Sequence, residues 1–231
     1  MRLHRFYVSQ PLGEEVVIDD VSLGNQWMNV FRYSVGDFVI LFNGEGYDFT
    51  YLLASLSKKS SSLIRTKQSP SYMPKHQISL CLSLIKKDLF ELAVQKATEL
   101  GVTRIIPIVS SHSQIRNISH DRLQKIVIEA SEQCGRGDIP TIAPTTDLRK
   151  TLEGLTDKEY PVLLQMGGTP LYEVHKKKVD KEVVLFIGPE GGWSKEDLTL
   201  MEDMKVKSYS LGETVLRAET AAIVAVAVLN L

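Results

Sequence analysis

The chain has 231 residues, of which 43% are hydrophobic and 24% are charged, and its formal net charge at pH 7 is -1. This composition is ordinary for a soluble globular protein of one large or two small domains. A net charge so close to zero excludes a uniformly positive surface as the means of binding nucleic acid. The longest apolar run, residues 221–229, is far shorter than the ~20 residues that span a bilayer, and no apolar leader follows Met1. We therefore expect a cytoplasmic protein without a membrane segment.

Cysteine and histidine usage gives no sign of a disulfide framework or a metal centre. The two cysteines, Cys81 and Cys134, lie far apart and form no Cys-x-x-Cys motif. We expect both to be reduced thiols. The five histidines are too widely scattered for a local metal-binding motif, so no metal is predicted.

The first 70 residues are predicted to be rich in β-strands. Strand-like runs occur at 2–8, 16–18, 38–42, 47–56 and 62–67, with a short helix at 22–31. Short strands at close spacing predict a small barrel or sandwich. Residues 68–75 contain Pro70 and Pro74 among polar residues, which is typical of a linker. We therefore expect one domain at residues 1–70 and a second at residues 75–231.

From residue 76 onwards, predicted strands alternate with predicted helices. The strands are expected at 77–85, 104–109, 161–165 and 183–187. Helices are expected from Asp88 as N-cap to Gly101, from Ser119 to residue 132, at 169–175, and from Ala218 onwards. Alternation of this kind predicts βαβ units, and therefore an α/β fold with a mostly parallel sheet.

The most informative stretch is a buried strand at 183–187 followed by the glycine turn, which we define as Gly188-Pro189-Glu190-Gly191-Gly192. Ser194 then offers a helix N-cap with Asp197 three residues later. The turn is neither a P-loop nor Gly-x-Gly-x-x-Gly, which disfavours a nucleotide phosphate site. A carboxylate in a turn at the carboxyl end of a buried strand has no folding rationale, and α/β proteins bind ligands at such positions. A second turn, residues 211–217, is expected to line the same pocket.

Two features of the last helix also need an explanation. Arg217 precedes the helix, where a cation opposes the helix dipole. It forms either a structural salt bridge to Glu190 or Glu219, or a contact with an anion or substrate. Residues 221–229 are apolar around the whole circumference, so the helix must be covered on more than one side. A second subunit could provide part of this cover, which favours a homodimer.

Together these stretches resemble the C-terminal signature of the SPOUT methyltransferases. The resemblance rests on residues 187–194, 211–212 and 216–221, with further agreement at 5–8, 95–102 and 129–136. It is strongest to the RsmE family, which methylates N3 of a uridine in 16S ribosomal RNA. The resemblance implies a PUA-like RNA-binding β-barrel at 1–70 and a SPOUT methyltransferase domain at 75–231. It also implies a deep trefoil knot, a homodimer and S-adenosylmethionine as cofactor.

The resemblance further implies that three loops, 164–166, 187–192 and 211–217, bind the cofactor. Because uracil N3 must lose a proton to become nucleophilic, our hypothesis is that Arg217 stabilises the uracil anion or anchors its phosphate, and that Glu190 orients Arg217 or accepts the proton. The expected RNA partner is 16S ribosomal RNA in the assembled small subunit. The expected cofactor-binding residues are Leu164, Gln165, Met166, Ile187, Gly188, Pro189, Glu190, Gly191, Gly192, Leu211, Gly212, Val215, Leu216 and Arg217. The expected RNA-binding residues are Arg2, Arg5, Arg32, Arg65, Lys67, Arg116 and Arg136.

Two alternatives remain open from the sequence. The first is a SPOUT enzyme with another specificity, such as a different base, a ribose 2′-hydroxyl or transfer RNA. The second is a ribosome-assembly factor that keeps the fold and binds RNA without catalysis. The presence of Glu190, Arg217 and both glycine-containing turns disfavours the second, because a binding module would not need them.

Overall fold

The computed structural model describes residues 3–176 and 180–230, and the chain divides into two compact units. Unit 1 comprises Met1–Met73 together with Ser131–Ile139, and unit 2 comprises Pro74–Ala130 and Pro140–Leu231. The proposed RNA-binding residue Arg2 lies outside the described residues.

Unit 1 is built on a curled, barrel-like sheet of five strands in the order β1-β3-β4-β5-β2, as its short predicted strands indicated. All neighbours are antiparallel except β1 and β3, which are parallel. Its core contains Phe6, Trp27, Val39 and Tyr51 among other buried apolar side chains. The strands are β1 (Arg5–Tyr7), β2 (Glu15–Ile18), β3 (Phe38–Phe42), β4 (Tyr47–Ser55) and β5 (Ser61–Pro70).

The predicted helix at 22–31 is correct only in part. It begins as an α-helix, α1 (Val21–Asn25), and continues as a π-helical turn, Gln26–Val30. Asp20 is the N-cap, and its carboxylate accepts hydrogen bonds from the backbone N–H groups of Ser22 and Leu23. The wider π-helical turn carries Trp27, which is completely buried.

Two of the expected RNA-binding arginines have structural roles instead. Arg5 is buried, pairs with Asp48 at 2.7 Å and donates to the carbonyl oxygens of Ser131 and Arg136 at 2.8 and 3.0 Å. Arg136 is 1% exposed and pairs with Asp138 at 2.7 Å. A guanidinium that is enclosed and hydrogen-bonded in this way cannot reach a phosphate. The prediction that Arg5 and Arg136 contact RNA is therefore wrong.

Unit 2 is an α/β unit whose sheet contains seven strands, all parallel, which confirms the predicted fold class. The order is β12-β10-β11-β6-β7-β8, and β9 also pairs with β7. Both β6 and β11 are almost wholly buried, and the burial of β11 is the one that its continuous apolar run at 183–187 predicted. The strands are β6 (Ile78–Ser83), β7 (Arg104–Val109), β8 (Thr141–Ile142), β9 (Thr146–Asp147), β10 (Glu159–Pro170), β11 (Glu182–Ile187) and β12 (Lys207–Ser210).

The helices of unit 2 mostly begin and end where the sequence predicts. Ser119 caps α3, and Gly101 follows α2 with a positive φ of 94°. Asp88 is not an N-cap: α2 begins one residue earlier, after Lys86, and Asp88 lies in the first turn. The helices are α2 (Lys87–Glu99), α3 (His120–Cys134), α4 (Leu148–Glu153), α5 (Glu173–Lys176), α6 (Lys195–Asp203) and α7 (Ala218–Asn230).

Both cysteines are free thiols, as expected. Cys81 lies in the core, where burial raises the pKa of its thiol, and Cys134 is exposed. Among residues 3–176 and 180–230, no helix is long and apolar enough to cross a membrane.

The Arg5–Asp48 pair is predicted to be essential for the stability of unit 1. Replacing Arg5→Met would leave the Asp48 carboxylate with the Ser71 hydroxyl as its remaining donor and three carbonyl oxygens without the guanidinium, and we expect a loss of about 3 kcal/mol in the free energy of unfolding. Urea denaturation followed by circular dichroism would measure it. The control is Lys67→Met, a substitution at an exposed residue of β5, which should change the free energy of unfolding by less than about 0.5 kcal/mol. Equal effects of the two substitutions would contradict this role.

Candidate functional site

A cavity of about 440 Å³ lies in unit 2 at the carboxyl ends of β11 and β12 and beside residues 164–166 of β10. These strands are parallel neighbours, so the loops that follow them meet at one edge of the sheet. Both predicted turns line this cavity, together with a segment of β10. The lining residues are Leu164, Gln165, Met166, Ile187, Gly188, Pro189, Glu190, Gly192, Trp193, Leu198, Leu211, Gly212, Thr214, Val215, Leu216, Arg217, Ala218 and Ala221.

All the expected cofactor-binding residues except Gly191 therefore line one cavity. Four lining residues lie outside the predicted segments: Trp193, Leu198, Ala218 and Ala221. Thr214 belongs to the predicted second turn, and Trp193 directly follows the glycine turn, so sequence proximity could have indicated it. Leu198, Ala218 and Ala221 are on helices α6 and α7, and their positions depend on how those helices pack.

The first wall of the cavity is a bulge in β10 rather than the end of a strand. Leu164 and Thr169 both face Tyr209 of β12, so residues 165–168 leave the ladder between them. The Gln165 amide donates to Ser208 Oγ at 2.9 Å and holds the bulge against β12. The predicted strand end at 165 and helix at 169–175 are wrong, because β10 resumes to Pro170 and α5 begins only at Glu173.

The bulge depends on Gly168. A Cβ atom at this position would lie 2.6 Å from the backbone carbon of Tyr209, closer than real Cβ contacts come. Only a residue without a side chain lets the two backbones approach so closely.

The second wall is the glycine turn, which is closed by a hydrogen bond from Gly192 N–H to Pro189 O at 2.9 Å. Gly192 has a φ of 69° and leads into Trp193, whose indole covers Gly188. Gly191 does not line the cavity. A Cβ atom on it would lie 3.2 Å from Cβ of His112, so the absence of a side chain allows His112 to pack against the turn.

The turn continues into α6 through the predicted capping box. Ser194 Oγ accepts from Asp197 N–H at 3.0 Å, and the Asp197 carboxylate accepts from Ser194 N–H at 3.1 Å. Asp197 also accepts from the hydroxyl of Ser111 at 2.9 Å. This third partner comes from the loop after β7, and no local sequence signal identifies it.

Glu190 and Arg217 both line the cavity and are exposed. One oxygen of Glu190 accepts from Lys86 N–H at 3.4 Å. Within the described part of the chain, Arg217 forms no ion pair with Glu190 or Glu219, so the structural salt bridge is not supported. Glu219 is buried, and its Oε2 has no hydrogen-bond partner among the described residues.

The other expected RNA-binding residues are accessible. Arg32, Lys67 and Arg116 are exposed, and Arg65 is half-buried with its guanidinium 5.6 Å from the centre of the Phe49 ring. Arg32 has a φ of 56°, a left-handed conformation that is uncommon for residues other than glycine. No group of three or more potential metal ligands occurs among the residues that the structure describes.

Comparison with known proteins identifies the class. A family model described as an RNA methyltransferase domain matches residues 72–230, which include the whole cavity. The ribosomal RNA small subunit methyltransferase E of Rickettsia conorii is 31% identical over 239 residues, covering 100% of this chain and 96% of that protein. The chain belongs to the ribosomal RNA small subunit methyltransferase E family, which confirms the resemblance to the RsmE family.

Two solved structures resemble the chain over nearly its whole length. One is the ribosomal RNA small subunit methyltransferase E of Neisseria gonorrhoeae bound to S-adenosylmethionine, with a TM-score of 0.90 and 27% identity over 98% of this chain and 96% of that one. The other is a methyltransferase of Legionella pneumophila in complex with the same cofactor, with a TM-score of 0.87 and 27% identity over 99% and 97% of the two chains.

The close approach at Gly168 leads to a stability prediction. Gly168→Ala would push the bulge away from Tyr209, and we expect a loss of about 3 kcal/mol in the free energy of unfolding. The matched control is Gly167→Ala, where nothing lies within 4 Å and only the φ of 75° opposes a side chain. Its cost should be nearer 1 kcal/mol. Chemical denaturation of both variants would test this, and a smaller effect at Gly168 than at Gly167 would contradict it.

Proposed function

We propose that this chain is an S-adenosylmethionine-dependent methyltransferase that methylates N3 of a uridine in 16S ribosomal RNA. The observation that carries the proposal is one cavity lined by both turns, in a chain similar over its whole length to an S-adenosylmethionine-bound methyltransferase E. The position on the base follows from the family resemblance.

The residues around the cavity fit the cofactor. A volume of about 440 Å³ is in the range of small-molecule sites, which are mostly apolar with a few polar groups. Leu164, Ile187 and Leu216 provide apolar surface, and the two glycine-containing turns expose backbone in place of side chains. When bound, the cofactor supplies an electrophilic methyl group on its sulfonium sulfur.

The chain's own contribution to the reaction is to position the substrate and to manage one proton. N3 of uracil carries a proton and becomes nucleophilic only when that proton is lost. Arg217, at the cavity and without a carboxylate partner among the described residues, is able to stabilise the resulting negative charge or to hold the phosphate. Glu190, exposed at the same cavity, is the group available to accept the proton.

The proposal includes the organisation that the resemblance implies. Residues 1–70 form the RNA-binding barrel, and residues 75–231 form a SPOUT domain with a trefoil knot that acts as a homodimer in the cytoplasm. Support for the dimer comes from α7, where Ile223, Val224 and Ala227 are apolar and only partly buried. A molar mass of a single chain in light scattering would contradict the dimer.

The RNA partner is 16S ribosomal RNA in the small subunit. The exposed or half-buried cations Arg32, Arg65, Lys67 and Arg116 would contact it.

The activity is tested with purified protein, labelled S-adenosylmethionine and small ribosomal subunits from cells that lack the enzyme. We expect label transfer, and nucleoside mass spectrometry should identify 3-methyluridine. Naked ribosomal RNA and transfer RNA are the control substrates. Another methylated nucleoside would overturn the base specificity and favour a different SPOUT enzyme. Binding without transfer to any RNA would favour a non-catalytic assembly factor.

The role of Arg217 is tested by Arg217→Ala and Arg217→Lys. Because the guanidinium would act on charge that develops during the reaction, we expect Arg217→Ala to lower kcat by about 100-fold, with a smaller loss for Arg217→Lys. Single-turnover methyl transfer at saturating substrates measures this. The control is Lys195→Ala, an exposed cation just beyond the glycine turn that does not line the cavity. Full transfer activity of Arg217→Ala with unchanged RNA binding would show that the role is wrong.

A further inference from the structure

The loop that follows β7 contacts the glycine turn from the side away from the cavity. We call residues Ser110–Ser113 the serine loop. The loop is anchored internally: Ser110 Oγ lies 3.0 Å from Ser83 Oγ and 3.1 Å from Ser113 Oγ, and all three serines are buried. It is therefore a rigid support rather than a mobile connection.

Two residues of the serine loop contact the segment that forms the cavity wall. Ser111 donates to the capping carboxylate of Asp197 and lies 3.2 Å from Ser194 Oγ. His112 Nδ1 lies 3.2 Å from Gly191 O and 3.1 Å from Gly192 O. The last two residues of the glycine turn are thus held by His112, and the segment that follows is held by the capping box of α6.

The geometry determines which ring nitrogen of His112 carries a proton. Both partners of Nδ1 are carbonyl oxygens, which can only accept, so Nδ1 must be the donor whatever the charge of the ring. His112 therefore acts as a shared donor to two successive carbonyl groups. Glu196 is the charged group beside it, and the pKa of Glu196 is lowered mainly by its own backbone N–H, then by the Ser194 hydroxyl and by His112.

Fixing two carbonyl groups fixes the orientation of the peptide planes that contain them. A peptide is planar, so a C=O directed at His112 directs the N–H of the same peptide the opposite way. The Gly191 carbonyl belongs to the peptide whose N–H, on Gly192, closes the turn on Pro189. His112 thereby supports the bond that closes the turn, and with it the positions of Glu190 and Gly192 in the cavity wall.

We propose that His112 is a positioning residue of the methyl-transfer site, acting through its Nδ1–H on the Gly191 and Gly192 carbonyl groups. The inference rests on the proposed function for its consequence in catalysis, but its structural part does not need the cofactor. The missing side chain of Gly191 favours the close packing of His112 on the turn, since a Cβ atom there would lie 3.2 Å from His112 Cβ. Only Nδ1 of the ring is used in this role.

The test compares His112→Ala with His112→Asn, because the side-chain amide nitrogen of asparagine can occupy the place of Nδ1. The first measurement is hydrogen–deuterium exchange of peptides covering residues 188–198 in the protein without cofactor. We expect exchange in this segment to become at least about fivefold faster in His112→Ala, as expected for the loss of one hydrogen bond of ordinary strength, and to return close to wild type in His112→Asn.

The second measurement is the Kd for S-adenosylmethionine by calorimetry. We expect a five- to tenfold weaker Kd in His112→Ala and less than about twofold change in His112→Asn. The matched control is His120→Ala, which removes another imidazole–carbonyl contact, to Ile142 O at 3.0 Å, at a position outside the glycine turn. His120→Ala should leave both measurements for the turn unchanged.

The outcomes separate the two proposals. If His112→Asn behaves like His112→Ala, the Nδ1 donor is not what matters and the inference is overturned. If His112→Ala exchanges like wild type, His112 does not position the turn. If wild type fails to bind S-adenosylmethionine while His112→Ala still speeds exchange, the proposed function fails and the positioning role stands.

Discussion

The site depends on the parallel pairing of β10 with β11 on one side and with β12 on the other. Val162 pairs with Leu185 and with Lys207, so the three strands advance in register towards the same edge. Strand β11 is apolar from Val183 to Ile187, and its burial requires strands on both sides and cover on both faces. Its pairing with β10 places the glycine turn beside the β10 bulge, and the pairing of β10 with β12 brings the 211–217 turn to the same edge. The cavity is a consequence of these pairings.

Hydrogen bonds around the cavity hold its backbone walls, while several lining side chains remain exposed. The lining residues Glu190, Met166 and Val215 are exposed, and Val215 is 85% accessible. The supports are the Ser194–Asp197 capping box, the serine loop and the hydrogen bond from Gln165 to Ser208. Because the backbone of the walls is held before a ligand binds, the ordering cost of binding falls mainly on the exposed side chains.

Two arginines of unit 1 serve its own stability, since Arg5 and Arg136 are enclosed and paired with Asp48 and Asp138. The exposed cations of the chain are balanced by its carboxylates, and the net charge is -1. An RNA partner of such a surface would be selected by shape and by unstacked bases more than by a strong field. The left-handed residue Arg32 is an exposed cation that lies in sequence between Phe31 and Tyr33, whose rings stack at a centroid distance of 5.6 Å.

Local sequence patterns are sufficient to predict the parallel α/β class, the β-rich first unit, the capping box at Ser194 and the two turns that line the cavity. The apolar runs, glycines and cap residues behind these predictions act within a few positions of each other. The other features depend on contacts between distant parts of the chain. Whether Arg5 reaches RNA depends on Asp48 and Ser131, far away in sequence. The bulge at 165–168 exists because Gly168 meets Tyr209, and His112 became part of the site because it packs on Gly191. Contacts between residues so distant in sequence are set by packing, which a single sequence does not encode in any local pattern.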